Sequence, residues 1–519
     1  MKNTKRLLAM LLCVTLSLSI FATTVSAASG TCEVFYFNEC GVGPGGTASI
    51  QSSLQNMGYT ANRYADTHAY YVRRTMHQDK VFAIVTHGSP GRVYCGENTT
   101  MSAASVSSDD ANYSLAAWFG RDSLQGVSFV YYGACQSANT DSSYGNLLTY
   151  TTTGLLGAKS ALGFTENVWD PHTAYYEGKL FSYLGNGYSV NLSNILARSA
   201  TYNYYGSYGE VDSAVISGDS STKIYTTRTT DLAENINCDP TELVLVQSLF
   251  GNQPRAGVVG TSSSLHDNVF GYDMDALRDN NYLYLFNADD KTLEAIALVD
   301  ENNAPIFGAI TSEENAIDIA KQFAAKATNI LSVDACDAFC SVIDTDDSRF
   351  YSIELWEKTT DNFFTGNKVA IMIDSNGILQ SYVANVESTD IRETTSTQKH
   401  ISEDAAIKAA YVAVAESANK LESIENSENC TPKTGNDTII SDSGLAVNRK
   451  TQANIAAKYK INVANAENHT VTTYKEYRDG VPCWVITIDN VETNRFWDVS
   501  FSVVLNAETG SIISVDNTR

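Results

Sequence analysis

Four short segments that are almost wholly apolar constrain the fold of this chain more than any other feature. A strand with no polar face must be covered on both sides, as strands of parallel sheets are. Amphipathic, helix-like segments lie between these runs. The alternation predicts an α/β domain with a mostly parallel sheet between helices. The apolar runs cover residues 34–37, 81–85, 127–132 and 161–164.

The length of 519 residues predicts more than one domain, because single hydrophobic cores stop growing at roughly 250–300 residues. The apolar alternation ends near residue 225, where the sequence becomes polar and rich in Asn and Thr. We therefore expect a signal peptide at 1–27, the α/β domain at 28–228 and a connecting β-rich region at 229–310. Smaller α+β units, each a helix plus an antiparallel sheet, are expected at 311–390 and 400–519, the second with a polar insertion.

An internal repeat supports these two smaller units. Residues 312–317 (SEENAI) resemble residues 402–407 (SEDAAI), and each stretch opens a helix-like run with acidic residues in its first turn. Each run is followed at a distance by a strand-turn-strand pattern, at 371–379 and 503–513. The glycine in each turn supplies the positive φ that such hairpins need.

The amino-terminal segment predicts export from the cell. Lys2, Lys5 and Arg6 precede an apolar run, and a small-residue cleavage site follows at 25–27. No later run reaches the ~18 apolar residues of a membrane helix, so we expect a secreted, extracellular protein without a membrane anchor. The net charge of -24 argues against nucleic acid as a partner, since both would be negatively charged.

The cysteine count leaves at least one thiol unpaired. Cysteines of extracellular proteins usually pair, and an odd number remains after the signal peptide is removed. The spacing of these cysteines does not indicate a zinc site. The nine are Cys32, Cys40, Cys95, Cys135, Cys238, Cys336, Cys340, Cys430 and Cys483.

Two of the apolar runs end in residues that carry chemistry. The run at 81–85 leads into His87 and Gly88, and the run at 127–132 leads into Gly133 and Cys135. Ligands of open parallel sheets bind outside the carboxyl ends of the strands, so both side chains are expected at one crevice. A thiolate there would attack a carbonyl while the imidazole handles the proton. The amides of Gly88 and Cys135 would hold the developing oxyanion.

Other interpretations of this pair remain open. A cysteine at a strand end is often a small buried apolar residue, and the α/β fold can serve as a non-catalytic extracellular binding or adhesion scaffold. A third alternative is an esterase or amidase that uses the same thiol and imidazole without cutting peptide bonds.

The two blocks around His87 and Cys135 resemble the clan CD cysteine peptidases, the superfamily of caspases, gingipains, clostripain, legumain and bacterial CHAT domains. Their signature is an apolar strand ending in His-Gly and another ending in Ala-Cys or Gly-Cys. Here the two residues lie 48 positions apart, close to the ~50 of caspases. The resemblance covers residues 31–225 and implies a caspase-like domain with His87 and Cys135 as the catalytic dyad of an endopeptidase acting on proteins or peptides.

Specificity does not carry over from this resemblance. Clan members that cut after Arg or Lys often have an acidic residue two positions before the cysteine, where this chain has Gly133. The Gln-Ala-Cys block of caspases is absent as well. Trp169 and Asp170 follow the next strand and are further candidates for shaping the substrate pocket.

The two smaller units are similar to PepSY-type domains, which occur in propeptides of secreted bacterial proteases. The helix openers and the final hairpin at 505–513 carry this similarity. It implies a module that inhibits or chaperones the peptidase, whereas the plain alternative is a targeting appendage. The dyad requires no cofactor or metal. The acidic surface is compatible with a structural Ca²⁺ ion.

Overall fold

The computed structural model describes most of the chain after the expected signal peptide. The predicted signal peptide, Cys40, Cys238, Cys430 and most of the predicted polar insertion lie outside the described residues. The described residues are 28–38, 44–104, 112–152, 155–225, 240–250, 259–265, 274–328, 330–344, 348–359, 362–386, 400–425, 471–478, 480–491 and 499–517.

The first half of the chain forms a six-stranded sheet in the order β2-β1-β3-β8-β9-β10. All pairs are parallel except β9 with β10, so the predicted mostly parallel sheet is confirmed. The four apolar runs all became strands, whereas the two edge strands, β2 and β10, were not predicted. The strands are β1 (Thr31–Tyr36), β2 (Thr60–Ala65), β3 (Asp79–Val85), β8 (Phe129–Gly133), β9 (Ser160–Phe164) and β10 (Ala214–Gly218).

Helices cover this sheet because its central strands are apolar on both faces. In β3, alternate residues such as Val85 and Ile84 belong to two separate core clusters, one on each side. The helices are α1 (Thr47–Asn56), α2 (Ala69–Thr75), α3 (Leu115–Trp118), α4 (Leu147–Thr151), α5 (Asp170–Gly185) and α6 (Val190–Tyr205).

A small four-stranded sheet is inserted between β3 and β8. Its first two strands form a tight hairpin directly after His87, with Gly88 opposite Val93. This hairpin therefore belongs to the same edge of the molecule as the carboxyl end of β3. The four strands are β4 (Gly88–Ser89), β5 (Arg92–Cys95), β6 (Thr99–Ser102) and β7 (Asn112–Ser114).

The second half is built on one larger sheet. Its order is β11-β12-β13-β14-β18-β17-β19-β20-β21-β22, with β16 on the other edge of β17 and β15 beyond β16. The first four strands are β11 (Val259–Leu265), β12 (Met274–Arg278), β13 (Tyr282–Asn287) and β14 (Leu293–Leu298). They are followed by β15 (Cys336–Asp344), β16 (Arg349–Lys358), β17 (Phe364–Asp374) and β18 (Leu379–Asn385). The last four are β19 (Val471–Arg478), β20 (Val481–Val491), β21 (Val499–Asn506) and β22 (Ile512–Asn517).

The order of elements repeats within this half. Helix α8 (Glu313–Ala327) precedes β15–β18, and helix α9 (Glu403–Glu425) precedes β19–β22, after the short helix α7 (Pro240–Leu249). Ser312 caps α8 by accepting from the amide of Asn315, and Ser402 accepts from the amide of Ala405. We call α8 with β15–β18 the first helix-sheet unit and α9 with β19–β22 the second helix-sheet unit.

The hairpins at the ends of both units use glycine as the sequence indicates. Gly377 has a φ of 84° in the β17–β18 turn and Gly510 has a φ of 74° in the β21–β22 turn. Side chains other than glycine rarely adopt these angles without strain.

The first helix-sheet unit packs against the α/β half. Helix α6 lies against β14 and β18, and α8 packs on β15, β16 and β17. One hydrophobic cluster runs from the α/β sheet through Ala197 and Ala200 of α6 to Ile353 and Val383 of the first unit. The predicted connecting region also joins this body, because β14 pairs with β18. Among the described helices, none is long and apolar enough to cross a membrane.

Candidate functional site

The site candidate lies where β3 and β8 end. Strand β3 ends at Val85, and the next amide, that of Thr86, donates to the carbonyl of Gly133 at 3.1 Å. The hydroxyl of Thr86 donates to the carbonyl of Tyr94 at 3.0 Å. These bonds hold the β4–β5 hairpin, which follows His87, against the end of β8. We call it the histidine hairpin.

The register of the two strands brings His87 and Cys135 to the same level. Val85 is paired with Gly133 in the parallel ladder. His87 lies two positions after Val85, and Cys135 lies two positions after Gly133. The chains approach so closely that a β-carbon on Gly88 would lie 2.3 Å from the carbonyl oxygen of Cys135. The two residues that the sequence singled out therefore belong to neighbouring loops.

Three loops interlock at this edge. We call the loop after β8, which contains Cys135 and Asn139, the cysteine loop. The amide of Gly91, in the histidine hairpin, donates to the carbonyl of Asn139 at 3.0 Å. The amide of Gln136 donates to the carbonyl of Glu166, after β9, at 3.0 Å. The side-chain amide of Gln136 also reaches Asn167 Oδ1 at 3.0 Å. The segment after β9 is thus held directly against the cysteine loop.

Both candidate side chains are covered. Cys135 is 2% exposed and His87 is 3% exposed. Cys135 Sγ lies 3.8 Å from the carbonyl oxygen of Val168, towards which it donates, and it packs in the same cluster as Val85. Gln136, the next residue, has a φ of 51°, a left-handed conformation that is uncommon for residues other than glycine. The cysteine therefore lies at a sharp, fixed turn.

Gly133 makes room for a carboxylate that the sequence analysis missed. A β-carbon at Gly133 would lie 2.7 Å from Glu177 Oε1 and 2.8 Å from the ring of Tyr131. Glu177, from α5, is fully buried and accepts from the Tyr131 hydroxyl at 3.2 Å and from the amide of Gly46 at 3.0 Å. An acidic group is thus present beside position 133, but it comes from another element. Its bond to Gly46, the residue before α1, also ties it to the start of that helix.

Trp169 and Asp170 begin helix α5. Trp169 precedes the helix and its amide donates to the carbonyl of Gly209 at 3.1 Å, while Asp170 lies in the first turn. Trp169 lines a cavity of about 610 Å³, a volume typical of ligand pockets. Asp170 is not among the residues that line this cavity.

The cavity lies between the α/β half and both helix-sheet units. Its near wall includes Glu166, Asn167 and Trp169, and its far wall includes residues of β15, β19, β20 and β21. The far wall comes from sequence more than 150 positions away from Trp169, and no local pattern marks it.

Carboxyl groups of the near wall are perturbed by burial. Burial raises the pKa of Glu166, and the nearby Asp212 carboxyl adds to the rise. Burial also raises the pKa of Asp212, against the effect of the Ser352 hydroxyl, which donates to Asp212 Oδ2 at 2.6 Å. Such shifts are common at functional sites and at buried ion pairs alike.

The described cysteines only partly follow the expected pairing. Cys32, Cys336 and Cys340 carry thiols, and burial raises the pKa of Cys32 and Cys336 to about 12 and of Cys340 to about 11. At these three positions the expectation of disulfides is wrong. Within the part of the chain that the structure describes, no three His, Cys, Asp or Glu side chains are grouped as metal ligands.

No protein-family model and no curated protein matches this chain.

Proposed function

We propose that this protein is a secreted cysteine endopeptidase with a caspase-like α/β domain, in which Cys135 is the nucleophile and His87 its proton carrier. Its substrates would be proteins or peptides, and neither a metal nor an organic cofactor takes part. The clan CD resemblance of residues 31–225 and the signal-peptide pattern of residues 1–27 support the proposal from the sequence side.

One structural observation carries the proposal. Strands β3 and β8 are parallel neighbours with Val85 opposite Gly133, so two residues with complementary chemistry follow at the same level of one sheet edge. In open α/β sheets this edge is where ligands bind. A random histidine and cysteine have no reason to share both the edge and the register.

The chemistry follows from the two groups. The Cys135 thiol would transfer its proton to the His87 imidazole, and the thiolate would attack the carbonyl carbon of the scissile peptide bond. When the C–N bond breaks, the imidazolium would return the proton to the leaving amine. Water would then hydrolyse the thioester, which releases the acid and restores the thiol.

The backbone near Gly88 suits an oxyanion. Gly88 lacks a side chain where one would collide with the carbonyl of Cys135, so the two loops approach closely and a substrate carbonyl oxygen bound at this edge would lie beside both. Amides of Gly88 and Cys135 that point at this oxygen would stabilise the negative charge of the tetrahedral intermediate.

Because His87 and Cys135 are both buried, the proposed enzyme needs a movement of the chain before a substrate can reach the thiol. With His87 and Cys135 at 3% and 2% exposure, a substrate reaches the thiol only after the Glu166–Trp169 segment moves. The helix-sheet units, which resemble PepSY-type domains, line the opposite side of the cavity and would slow, but not prevent, this movement in the intact protein.

The burial of Cys135 also favours a second candidate function, that of a non-catalytic binding protein. A buried cysteine that belongs to a large hydrophobic cluster, as Cys135 does, is also what a non-catalytic scaffold would contain. An extracellular binding protein on this fold predicts that removing the Cys135 sulfur changes stability alone.

The test compares the mature protein with Cys135→Ala and with Cys340→Ala, a control that removes a half-exposed thiol on β15. Each is incubated with a diverse peptide mixture and, in parallel, with ester probes under reducing conditions, with and without Ca²⁺, and products are identified by mass spectrometry. We expect cleavage by the wild type and by Cys340→Ala and none by Cys135→Ala. Equal product patterns from wild type and Cys135→Ala would refute the endopeptidase, and cleavage of ester probes alone would assign an esterase.

A further inference from the structure

Strand β15 is an open sheet edge. In the described part of the chain it pairs with β16 and with no other strand. The amide of Ser375 donates to the carbonyl of Arg349 at 2.9 Å, so the backbone groups of Arg349 face β17. Its partner Asp344, and by alternation Val342, therefore direct their N–H and C=O groups away from β16.

This open edge faces the cavity beside the candidate site. Ser341, Val342 and Ile343 all line the cavity. Successive side chains of a strand point to opposite faces, so three consecutive residues can line one cavity only if the strand presents its edge. Unpaired backbone groups of an edge are a template for another strand.

The opposite wall leads to the thiol. Glu166, Asn167 and Trp169 line the cavity, and the first two also hold Gln136 by hydrogen bonds of 3.0 Å. A chain lying along β15 would therefore run beside the segment that covers Cys135.

The cavity has a negative character. Its lining residues include Glu166, Glu210 and Asp212, and neither lysine nor arginine is among them; Arg198 lies near Asp212 but outside this lining. A positively charged side chain is the group that would complement these three carboxyl groups. The volume of about 610 Å³ accommodates such a side chain and part of a backbone.

We propose that the β15 edge binds an extended polypeptide segment as an added strand, with a lysine or arginine side chain of that segment in the acidic cavity. Backbone hydrogen bonds to alternate residues of β15 supply affinity, and the carboxyl groups supply selectivity for a basic residue. The inference gives the proposed endopeptidase its substrate class, but the binding step does not require cleavage.

The test measures binding in the Cys135→Ala background, where no covalent step interferes. The probes are two fluorescent peptide libraries of about twelve residues each, one with arginine and one with glutamine at the centre. Fluorescence anisotropy should give a Kd for the arginine library that is roughly tenfold lower than for the glutamine library. Adding Glu166→Gln should reduce this preference to about twofold.

A matched pair of variants tests the edge itself. Val342→Pro removes the N–H that points away from β16, and proline is tolerated at such edge positions. Val342→Ala trims the side chain and keeps the donor. We expect Val342→Pro to weaken binding roughly tenfold or more and Val342→Ala to leave the Kd within about twofold. Thermal unfolding of both variants shows that each is folded.

The outcomes separate this inference from the proposed function. Equal binding by Val342→Pro and Val342→Ala, or no binding of either library, would overturn the inference even if the wild type cleaves peptides. Binding that depends on the Val342 donor while the wild type cleaves nothing would support the inference and refute the endopeptidase.

Discussion

The two helix-sheet units share an order of elements but differ in how they attach to the rest of the molecule. The first unit belongs to the hydrophobic cluster of the α/β half, which runs without a break into Ile353, Ile371 and Val383. The second unit has a separate cluster, with Trp484 and Phe501 among its members, which the first unit enters only through Phe363. A repeated pattern in the sequence thus became one unit that is part of a larger core and another that is nearly self-contained.

The difference arises from what covers each sheet. In the first unit, α8 packs on one face, and the other face meets the α/β half, where Ser352 bonds to Asp212 and the Arg198 guanidinium lies 3.3 Å from Met372 Sδ. In the second unit, α9 packs on β20, β21 and β22. Local sequence specifies the helix and the strands, but the partner of the second face depends on distant residues.

The largest expected effect comes from cutting between the α/β half and the first unit. A fragment of residues 28–225 would expose the α6 surface that packs on β14 and β18. Each large apolar side chain exposed costs about 1.5–3 kcal/mol, and a few of them equal the total stability of a typical domain. We expect this fragment to lack a cooperative thermal transition in circular dichroism and to bind a hydrophobic dye.

A fragment of residues 28–399 is the matched control, because it keeps the shared cluster and removes only the second unit. It should melt cooperatively at a temperature close to that of the corresponding transition in the mature protein. If residues 28–225 instead melt sharply at the same temperature as residues 28–399, the hydrophobic cluster shared with the first unit contributes little to the stability of the α/β half.

The next effect concerns the ion pair that joins the two units. Lys368 Nζ of β17 lies 3.1 Å from Glu476 Oε2 of β19, and the two side chains are 6% and 3% exposed. Loss of Lys368 leaves the buried Glu476 carboxylate with only the partly exposed Arg478 as a partner, and breaking a buried pair typically costs about 3–5 kcal/mol. Lys368→Met should therefore lower the free energy of unfolding by about that amount in a urea titration.

The double variant Lys368→Met with Glu476→Leu separates charge burial from packing. Replacing both partners by apolar residues is often close to neutral, so most of the lost stability should return. Arg478, which also contacts Glu476, keeps 42% of its side chain exposed. If the double variant is no more stable than the single one, the buried charge is not the source of the loss.

A smaller effect is expected at the end of β8. Gly133→Ala places a β-carbon within 3 Å of Glu177 and Tyr131, and overpacking of this kind costs about 1–3 kcal/mol. The transition shared by the α/β half and the first unit should shift, whereas that of the second unit should not. Gly126→Ala is the control, because nothing lies within 4 Å of its added carbon. Equal melting curves for the two variants would contradict the crowding at Gly133.

The sequence predicted most of what short-range patterns specify. Apolar runs marked β1, β3, β8 and β9, and Ser312 with Gly377 marked the ends of elements. Strand β2 was missed because its sequence, TANRYA, is polar and it pairs only along one edge. Among the site candidates, the common position of His87 and Cys135 at one sheet edge followed from the rule that ligands bind outside the carboxyl ends of parallel strands.

Features made by distant segments were beyond such reasoning. Glu177 reaches Gly133 from α5, and the cavity wall at Val342 comes from another unit. Neither contact leaves a periodic signal, because packing between elements depends on shape and not on spacing along the chain. For the same reason the sequence offered no sign that the region before residue 311 would extend the sheet of the first unit.

The smallest effect tests whether the contact between the α/β half and the first unit responds to pH. Burial raises the pKa of Glu354 on β16 to about 7, and the Asp212 carboxyl across the contact adds to this rise. Trp356 Nε1 donates to Glu354 Oε2 at 2.8 Å, and Lys368 opposes the shift. Tyr202 of α6 faces the same carboxyl group.

The sign of the pH effect follows from proton linkage. The folded state holds the Glu354 proton up to about pH 7, whereas the unfolded chain releases it near its ordinary pKa of roughly 4.3. The free energy of unfolding therefore falls as the pH rises between these values and is constant above them. Glu354→Gln cannot ionise, so at pH 8 it should be more stable than the wild type, and this gain should disappear near pH 4. Glu314→Gln, at an exposed glutamate whose pKa is lowered by the backbone amide at the start of α8, should show no such gain at pH 8. A Glu354→Gln advantage of the same size at pH 4 and pH 8 in urea titrations would assign the gain to packing and leave the contact between the two regions independent of pH.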